Sequence, residues 1–452
     1  MRHSAIIFLF TLCCIFYCRG ENVNFYGGTK EIIKETPPSS SGLNIIYVVY
    51  DISEISQISI GPIDNVAKFN VQIYSNLGGG YAQDIPFEID GSNAVIKSPR
   101  GDMGYIVENG NSQYYFWIVD YSKWKFSISS ITKSEDNDCD FTQLSVNGNG
   151  DAIKYYGING RQIILDRDIQ FNFTTLEWDN DSKAYVTVDK NISYESLSPV
   201  MTINPPLYCS TTVTVSGDRF LKEWGLIESI ESETIHPNGL QIHTEAIQTN
   251  MQDSDENVGS NVIRGDESLL GGSAPADFTF YAYTTDAVIH NEWQIAEDPE
   301  FEYIKYRFNE QDLSHTFNEE GKYYVRFVGS NYDGSCEEIG DTYEIGIGAS
   351  ELRIPNVFSP DGDGVNDIWK VAYRSLVEFR CWIFDRNGRQ LCYFDNPEHG
   401  WDGKHKGKVV NPGVYYYVIE AKGADGIKYK RGGDINIIRY KKIGSSTGSY
   451  TE

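Results

Sequence analysis

The run Asp361-Gly362-Asp363-Gly364-Val365-Asn366-Asp367 puts four oxygen-bearing side chains, Asp361, Asp363, Asn366 and Asp367, within seven residues, with glycines that permit sharp turns. Hard oxygen ligands crowded in this way suit calcium. Counted from Asp361, the twelfth position is Ala372, so the bidentate Glu that closes an EF-hand loop is missing and any calcium would be held weakly. The plainer alternative is a pair of acidic Asp-Gly turns.

Other chemistry is poorly provided for. Gly444-Ser445-Ser446-Thr447-Gly448 matches the G-x-S-x-G pattern, but it lies in a polar tail, and a nucleophile elbow needs a strand before it and a helix after it to aim the hydroxyl. The seven histidines form no H-E-x-x-H. His236, His243, and His290 with Glu292 beside Trp293 fit surface or packing roles as well as any site. Carboxylates are so abundant that no pair stands out for glycoside hydrolysis, where separation in space decides. The expectation is a protein that is not an enzyme, with no catalytic residue and no cofactor beyond the calcium expectation. For binding, Tyr114, Tyr115, Trp117, Tyr121 and Trp124 could form a platform for a glycan or a peptide if they shared an exposed face. Strand alternation sends Tyr115, Trp117 and Val119 one way and Tyr114, Phe116 and Ile118 the other, so one set must enter a core. Both faces are apolar enough to be covered, which favours buried rings. Gly78-Gly79-Gly80 reads as a bulge or long turn before it reads as a ligand cradle.

The elements that must position these residues are strands. Tyr, Phe and Trp make up 13% of the chain. They alternate with Val, Ile and Thr in short runs such as Ile45–Tyr50, Gln113–Val119, Tyr323–Val328 and Val414–Ile419, separated by Gly, Asn and Asp. Amphipathic helical periodicity is nearly absent. The fold class is all-β, as tandem antiparallel β-sandwich (Ig-like) modules. At 452 residues the chain has room for three or four domains. Turn-rich and Pro-rich stretches divide it into a flexible leader at 21–43, a β domain at 44–134, a shorter β module at 139–200 with turns at Asn147–Gly150 and Asn159–Gly160, and a third region at 205–350. A further unit follows from 351, and a polar tail covers 444–452. The acidic stretch Gln252–Glu256 reads as a loop.

Residues 1–20 read as a secretory signal peptide, with Arg2 and His3 before the apolar run Ala5–Phe16 and small residues at Cys18 and Gly20. No later run is apolar enough for a membrane helix. Sixteen Lys and Arg against thirteen Asp and Glu give residues 351–452 a balance of +3. With Arg2 and Arg19 set aside from the total of −26, residues 21–350 carry −31. Such a body repels phosphate backbones, so no nucleic acid is expected as a partner. Cys381 and Cys392 fall on two strands either side of the turn Asp385–Gly388, and a four-residue loop would set them opposite each other as a possible disulfide.

Two stretches resemble known families. The run His315–Val325, with Gly321, Tyr324, and then Asn331, Asp333 and Gly334, resembles the final hairpin of polycystic-kidney-disease-type (PKD) Ig-like domains. That likeness implies Trp293 as the buried inter-sheet aromatic and Phe278 and Tyr281 on the opening strand. The second stretch begins with Ile354-Pro355-Asn356-Val357-Phe358-Ser359-Pro360 and the Asp361–Asp367 run, followed by Trp369. Cys381–Gly388 comes next with Arg386 and Gly388, then Gly400-Trp401-Asp402-Gly403, Asn411-Pro412-Gly413-Val414-Tyr415, and the strand from Gly433 to Arg439. The order resembles the gliding-motility-associated C-terminal domain of Bacteroidetes, the type B sorting domain of the type IX secretion system. Asn387 stands where that family usually has Trp, and Asp385 where it has Asn. Asn387-Gly388, Asp402-Gly403 and Pro412-Gly413 are also turn pairs on physical grounds, and Trp369, Trp382 and Trp401 read as core anchors. The resemblance implies a sorting domain at 351–443, secretion machinery at the outer membrane as the partner, and a location on the outer-membrane surface or outside the cell. The body would then be an adhesive or structural cargo, or alternatively a glycan- or peptide-binding protein of nutrient capture.

Overall fold

In the computed structural model, residues 22–135, 138–249, 262–263 and 270–438 are described. The signal peptide, the stretch Gln252–Glu256, Arg439 and the tail with its G-x-S-x-G pattern lie outside them. Among the described residues the elements are almost all strands, with one short helix, Arg219–Glu223. No described helix is long and apolar enough to cross a membrane. Two compact units are present: Met1–Thr175 with Thr187–His236, and Leu176–Val186 with Pro237–Glu452.

The first unit opens with a sandwich of a four-stranded sheet (Asn22–Gly27, Ile55–Gly61, Asn93–Lys97, Glu88–Asp90) and a six-stranded sheet (Ile33–Glu35, Ile45–Val49, Ser112–Asp120, Met103–Asn109, Phe69–Tyr74, Gln83–Asp84). The expected flexible leader is therefore corrected. Asn22–Gly27 pairs antiparallel with Ile55–Gly61, and Ile33–Glu35 with Ile45–Val49; Val23 alternates with polar Asn22 and Asn24, and both Val23 and Ile33 are buried. Along Ser112–Asp120, Phe116 and Ile118 enter the core between the two sheets, and Trp117 and Val119 enter a second core on the other side. A sheet covered on both faces needs apolar residues on both, which is what this strand carries.

That second core belongs to the next sandwich, built of Ser127–Lys133, Thr142–Asn149 and Val200–Ile203 against Ala184–Tyr194, Ile169–Asp179, Val213–Gly217 and Glu228–Glu231. The expected module end at 200 and third-region start at 205 are corrected by these pairings. Thr142 lies opposite Ile203, and Phe171 opposite Val215, so the module needs strands up to residue 231. Asn147–Gly150 is not a turn: Asn147–Asn149 stays in a strand paired with Ser127–Ser130. Asn159–Gly160 does turn, between Ile153–Tyr156 and Gln162–Leu165, with Gly160 at φ +75°.

In this unit Arg167 and Asp218 form an ion pair with Nη2–Oδ2 2.8 Å and both side chains fully buried. Oδ1 of Asp218 also accepts from the Tyr121 hydroxyl (2.9 Å) and from the Leu221 N–H (3.0 Å), capping the helix. Arg167 donates further to the carbonyls of Asp151 (2.8 Å) and Trp124 (2.6 Å). Tyr121 comes from the first sandwich, so the network ties the two sandwiches together.

The second unit holds an Ig-like sandwich: Ile242–Gln248, Ala276–Thr284 and Leu313–Phe317 face a sheet of Leu270–Gly272, Tyr343–Ile347, Gly321–Ser330, His290–Ala296 and Ile304–Phe308, with Glu337–Ile339 alongside. Trp293 is fully buried between the sheets, with its ring 5.4 Å from Phe280 and 5.1 Å from Phe327. The Tyr323 hydroxyl donates to the Glu319 carbonyl at 3.2 Å, a tyrosine corner. The expected hairpin at 315–325 is corrected: Leu313–Phe317 pairs with Ala276–Thr284, and Gly321–Ser330 lies in the opposite sheet, so Gly321 turns an arch between sheets. A C-terminal domain from Glu351 completes the unit. Its main sheet is ordered Val357–Phe358, Lys428–Ile437, Gly413–Gly423, Leu376–Phe384, Gln390–Phe394. The expected antiparallel arrangement is corrected at one edge: three of the four pairings in this sheet are antiparallel, and Val357–Phe358 runs parallel to its neighbour.

Candidate functional site

The signature residues of the C-terminal domain mostly build it. Trp369 and Trp401 are buried and exchange backbone hydrogen bonds of 2.9 Å in each direction. The Trp369 indole N–H donates to the Pro355 carbonyl at 2.7 Å, and that of Trp401 to the Lys404 carbonyl at 2.9 Å. The Asn356 carbonyl accepts from the Asn436 N–H at 2.8 Å, which fastens the Pro-Asn start to the last strand. Asp402 accepts from the Lys404 N–H at 3.0 Å, and Gly403, at φ +70°, leaves room for Pro360, whose Cγ would sit 2.8 Å from a Cβ there. After Pro412-Gly413, the Tyr415 hydroxyl closes the turn on the Asn411 carbonyl at 2.8 Å. Gly433 makes room for the Tyr417 ring, whose hydroxyl would lie 2.6 Å from a Cβ.

The turn after Leu376–Phe384 has five residues rather than four. Asp385 organises it by accepting from the N–H groups of Asn387 and Arg389, both at 2.9 Å, around Gly388 at φ +80°. Arg386 is exposed at its tip. With a bulge between Ile383 and Phe384, the longer turn slides the register by two: Cys381 faces Phe394 and Ile383 faces Cys392. Cys381 and Cys392 are free thiols in diagonal positions, which correct the expected disulfide. Diagonal neighbours stand about 7–8 Å apart, beyond the usual Cα separation of a disulfide. Burial pushes the Cys381 thiol up to about 12.

In the acidic loop, ligand oxygens of Asp361, Asp363 and Asp367 lie within 4.8 Å of one another. Between them Asn366 stands at φ +53°, and its backbone carbonyl accepts from the Ser359 N–H at 3.0 Å. Asp367 accepts from the N–H groups of Gly362 (2.7 Å) and Gly364 (2.8 Å), bonds that hold its carboxyl below the usual range.

Elsewhere, candidate residues are occupied in packing. Phe116, Trp117 and Tyr121 are buried, and Tyr114, Tyr115 and Trp124 are partly so. Gly78 sits against the turn at Gly160, whose Cα would be 3.5 Å from a Cβ at Gly78. The His243 ring stacks 4.0 Å from Trp178; His290 contacts the Tyr332 carbonyl at 3.1 Å, and Glu292 pairs with Arg307. Two features escaped sequence reasoning. Arg167 reads as part of a polar turn between Asp166 and Asp168, and Trp382, expected in the core, is half-buried on the sheet's outer side.

Residues 352–435 match the CHU_C type IX secretion signal domain, and residues 130–232 match a fibronectin type III domain. The second match covers the sandwich just before the Ig-like one, and its span agrees with the pairings that carry that sandwich to residue 231. Among curated proteins, none matches the chain. Among solved structures, the chain is similar to a tetra-tandem repeat from the extending region of a large adhesion protein, at 10% identity over 86% of this chain and 96% of that one, with a TM-score of 0.21. It is also similar to dimeric latent PorU from Porphyromonas gingivalis, at 10% identity over 74% of this chain and 36% of that one, with a TM-score of 0.15. The protein thus carries a type IX secretion signal domain at its C-terminal end, preceded by fibronectin type III and Ig-like sandwiches.

Proposed function

We propose that this is a surface-exposed protein whose residues 21–350 form a non-catalytic, adhesive or structural body, delivered by the C-terminal domain and by a signal peptide at 1–20. The observation that carries the reading is the match of residues 352–435 to a type IX secretion signal domain, which implies export by that route to the cell surface or the medium. A body of successive sandwiches suits a spacer that holds a binding region away from the membrane. Packing of the rings at 114–124 into two cores supports this over a glycan-capture role for the first domain. The test is transplantation: residues 351–452 fused behind an inert periplasmic protein with its own export signal should bring it to the surface of a type IX-competent cell. Retention in the periplasm would refute the reading.

The acidic loop is proposed to take calcium weakly, through Asp361, Asp363, Asn366 and Asp367, at about 10⁻⁴–10⁻³ M as in other extracellular modules. The bonds from Gly362 and Gly364 to Asp367 support low affinity, because they tie the loop without an ion. Calorimetric titration of the full chain should show one weak site that Asp363→Asn removes; heat unchanged in that variant would rule the site out.

A further inference from the structure

Along the C-terminal sheet, alternation sends one set of side chains into the core and the other outward. The outward set can be read from the register. Trp382 lies between Tyr393 and Val418, and Val418 lies opposite Gly432. One row on, Phe384 lies opposite Tyr416, and Val414 follows on the same strand. Tyr393, Val414, Tyr416 and Val418 are exposed, and Trp382 and Phe384 are half-buried. None of the six belongs to the core of the domain. The Trp382 and Tyr393 rings lie 5.6 Å apart, and at Gly432 a Cβ would meet only the Tyr417 carbonyl oxygen, at 3.5 Å. The face is thus an aromatic strip flanked on the last strand by bare backbone at Gly432 and by the exposed Asp434, which lies opposite Tyr416.

One margin of the strip is charged. Arg380 lies opposite Glu420, Glu420 opposite Lys430, and Lys422 opposite Lys428. Arg380 and Lys430 pair with Glu420 and Lys422 pairs with Glu378, so four cations stand beside two carboxylates and this margin is positive, on a chain whose residues 21–350 carry −31. Contiguous exposed apolar surface with a charged rim is the anatomy of a protein-binding face, and Tyr and Trp are enriched at such centres. The buried signature residues, Trp369 and Trp401, cannot be read from outside the folded domain.

We propose that this outer face, centred on Trp382 and Tyr416, is the surface by which the secretion machinery grips the domain, through a protein presenting an apolar patch with an acidic border. The inference rests on the reading of this domain as an export signal. A second copy fits less well, because symmetric pairing brings one cationic margin toward another.

The experiment uses the full chain in a type IX-competent cell, with surface arrival read by protease added to intact cells. Trp382→Ser with Tyr416→Thr should lower the surface fraction about 30-fold, as removal of an aromatic anchor does, and leave a folded periplasmic pool. Arg380→Glu with Lys430→Glu, two exposed substitutions, should lower it less and keep the fold. A chain truncated after Ser350 is the control for the export reading. Normal display of the aromatic variant while the truncated chain stays inside overturns the docking face alone; display of the truncated chain overturns the export reading itself. If the aromatic variant fails to fold, the charge-reversed one decides, and its normal display overturns the proposal. A photo-crosslinker at residue 416 should join an outer-membrane protein; adducts to a second copy or to carbohydrate would overturn it.

Discussion

Replacing Asp218 by Asn keeps the size of the side chain and an oxygen that can accept from Leu221 and Tyr121, but it removes the carboxylate paired with the fully buried Arg167. Removing one partner of a buried ion pair typically costs about 3–5 kcal/mol, because the remaining charge is left in a poor solvent. Two carbonyls, of Asp151 and Trp124, still receive the guanidinium, which places the cost near the lower end of that range. For a unit of this size each kcal/mol moves the midpoint by about 2–4 °C, so the first unit should melt roughly 6–12 °C earlier. Asp218→Ala should cost more, since it also removes the helix cap, worth about 1 kcal/mol, and strands the Tyr121 hydroxyl. Scanning calorimetry of the full chain reads the shift. The double variant Arg167→Met, Asp218→Leu should lose less than either single variant of the pair, because no buried charge remains. A shift below about 2 °C for Asp218→Asn, or a double variant that loses the sum of the two singles, would refute the reasoning.

Trp293→Ala should cost the Ig-like sandwich about 3–5 kcal/mol, seen as faster hydrogen exchange across Gly321–Ser330 with the first unit unchanged. The carboxyl of Asp367 is held below its unfolded value of about 3.9, so the stability it lends is fully present above that pH and is lost as pH falls through the folded value. The loop at 361–367 should therefore loosen only below about pH 4, as read by amide chemical shifts, and Asp367→Asn should remove that dependence. Cys392 is partly exposed and Cys381 fully buried with its thiol pushed up to about 12, so maleimide at pH 8 should label Cys392 first, and peptide mapping without reductant should find no Cys381–Cys392 bond.

The all-β class was legible because runs such as Gln113–Val119 and Val414–Ile419 alternate at the period of a strand. The C-terminal domain was legible because its turns need particular residues at Gly388, Gly403 and Gly413. The first strand was missed because Asn22-Val23-Asn24-Phe25 offers just two apolar residues, in a segment that Pro37 and Pro38 mark as loose. Pairing over long separations hid the true extent of the second sandwich, since nothing near Thr142 announces Ile203 as its partner. A five-residue turn and a bulge together moved Cys392 away from Cys381, and no local signal marks either. Trp382 shows a further limit: alternation separates two faces of a strand, and which face is covered depends on what the rest of the chain supplies. For the same reason nothing in the sequence beside Arg167, which stands between two Asp residues, announces that it is buried.

The most direct test of the central claim is surface proteolysis of intact type IX-competent cells, comparing the full chain with one truncated after Ser350. The account predicts that the full chain is digested from outside while the truncated chain stays folded and protected in the periplasm. Equal digestion of the two, or protection of both, would contradict it and leave the C-terminal domain as one more sandwich.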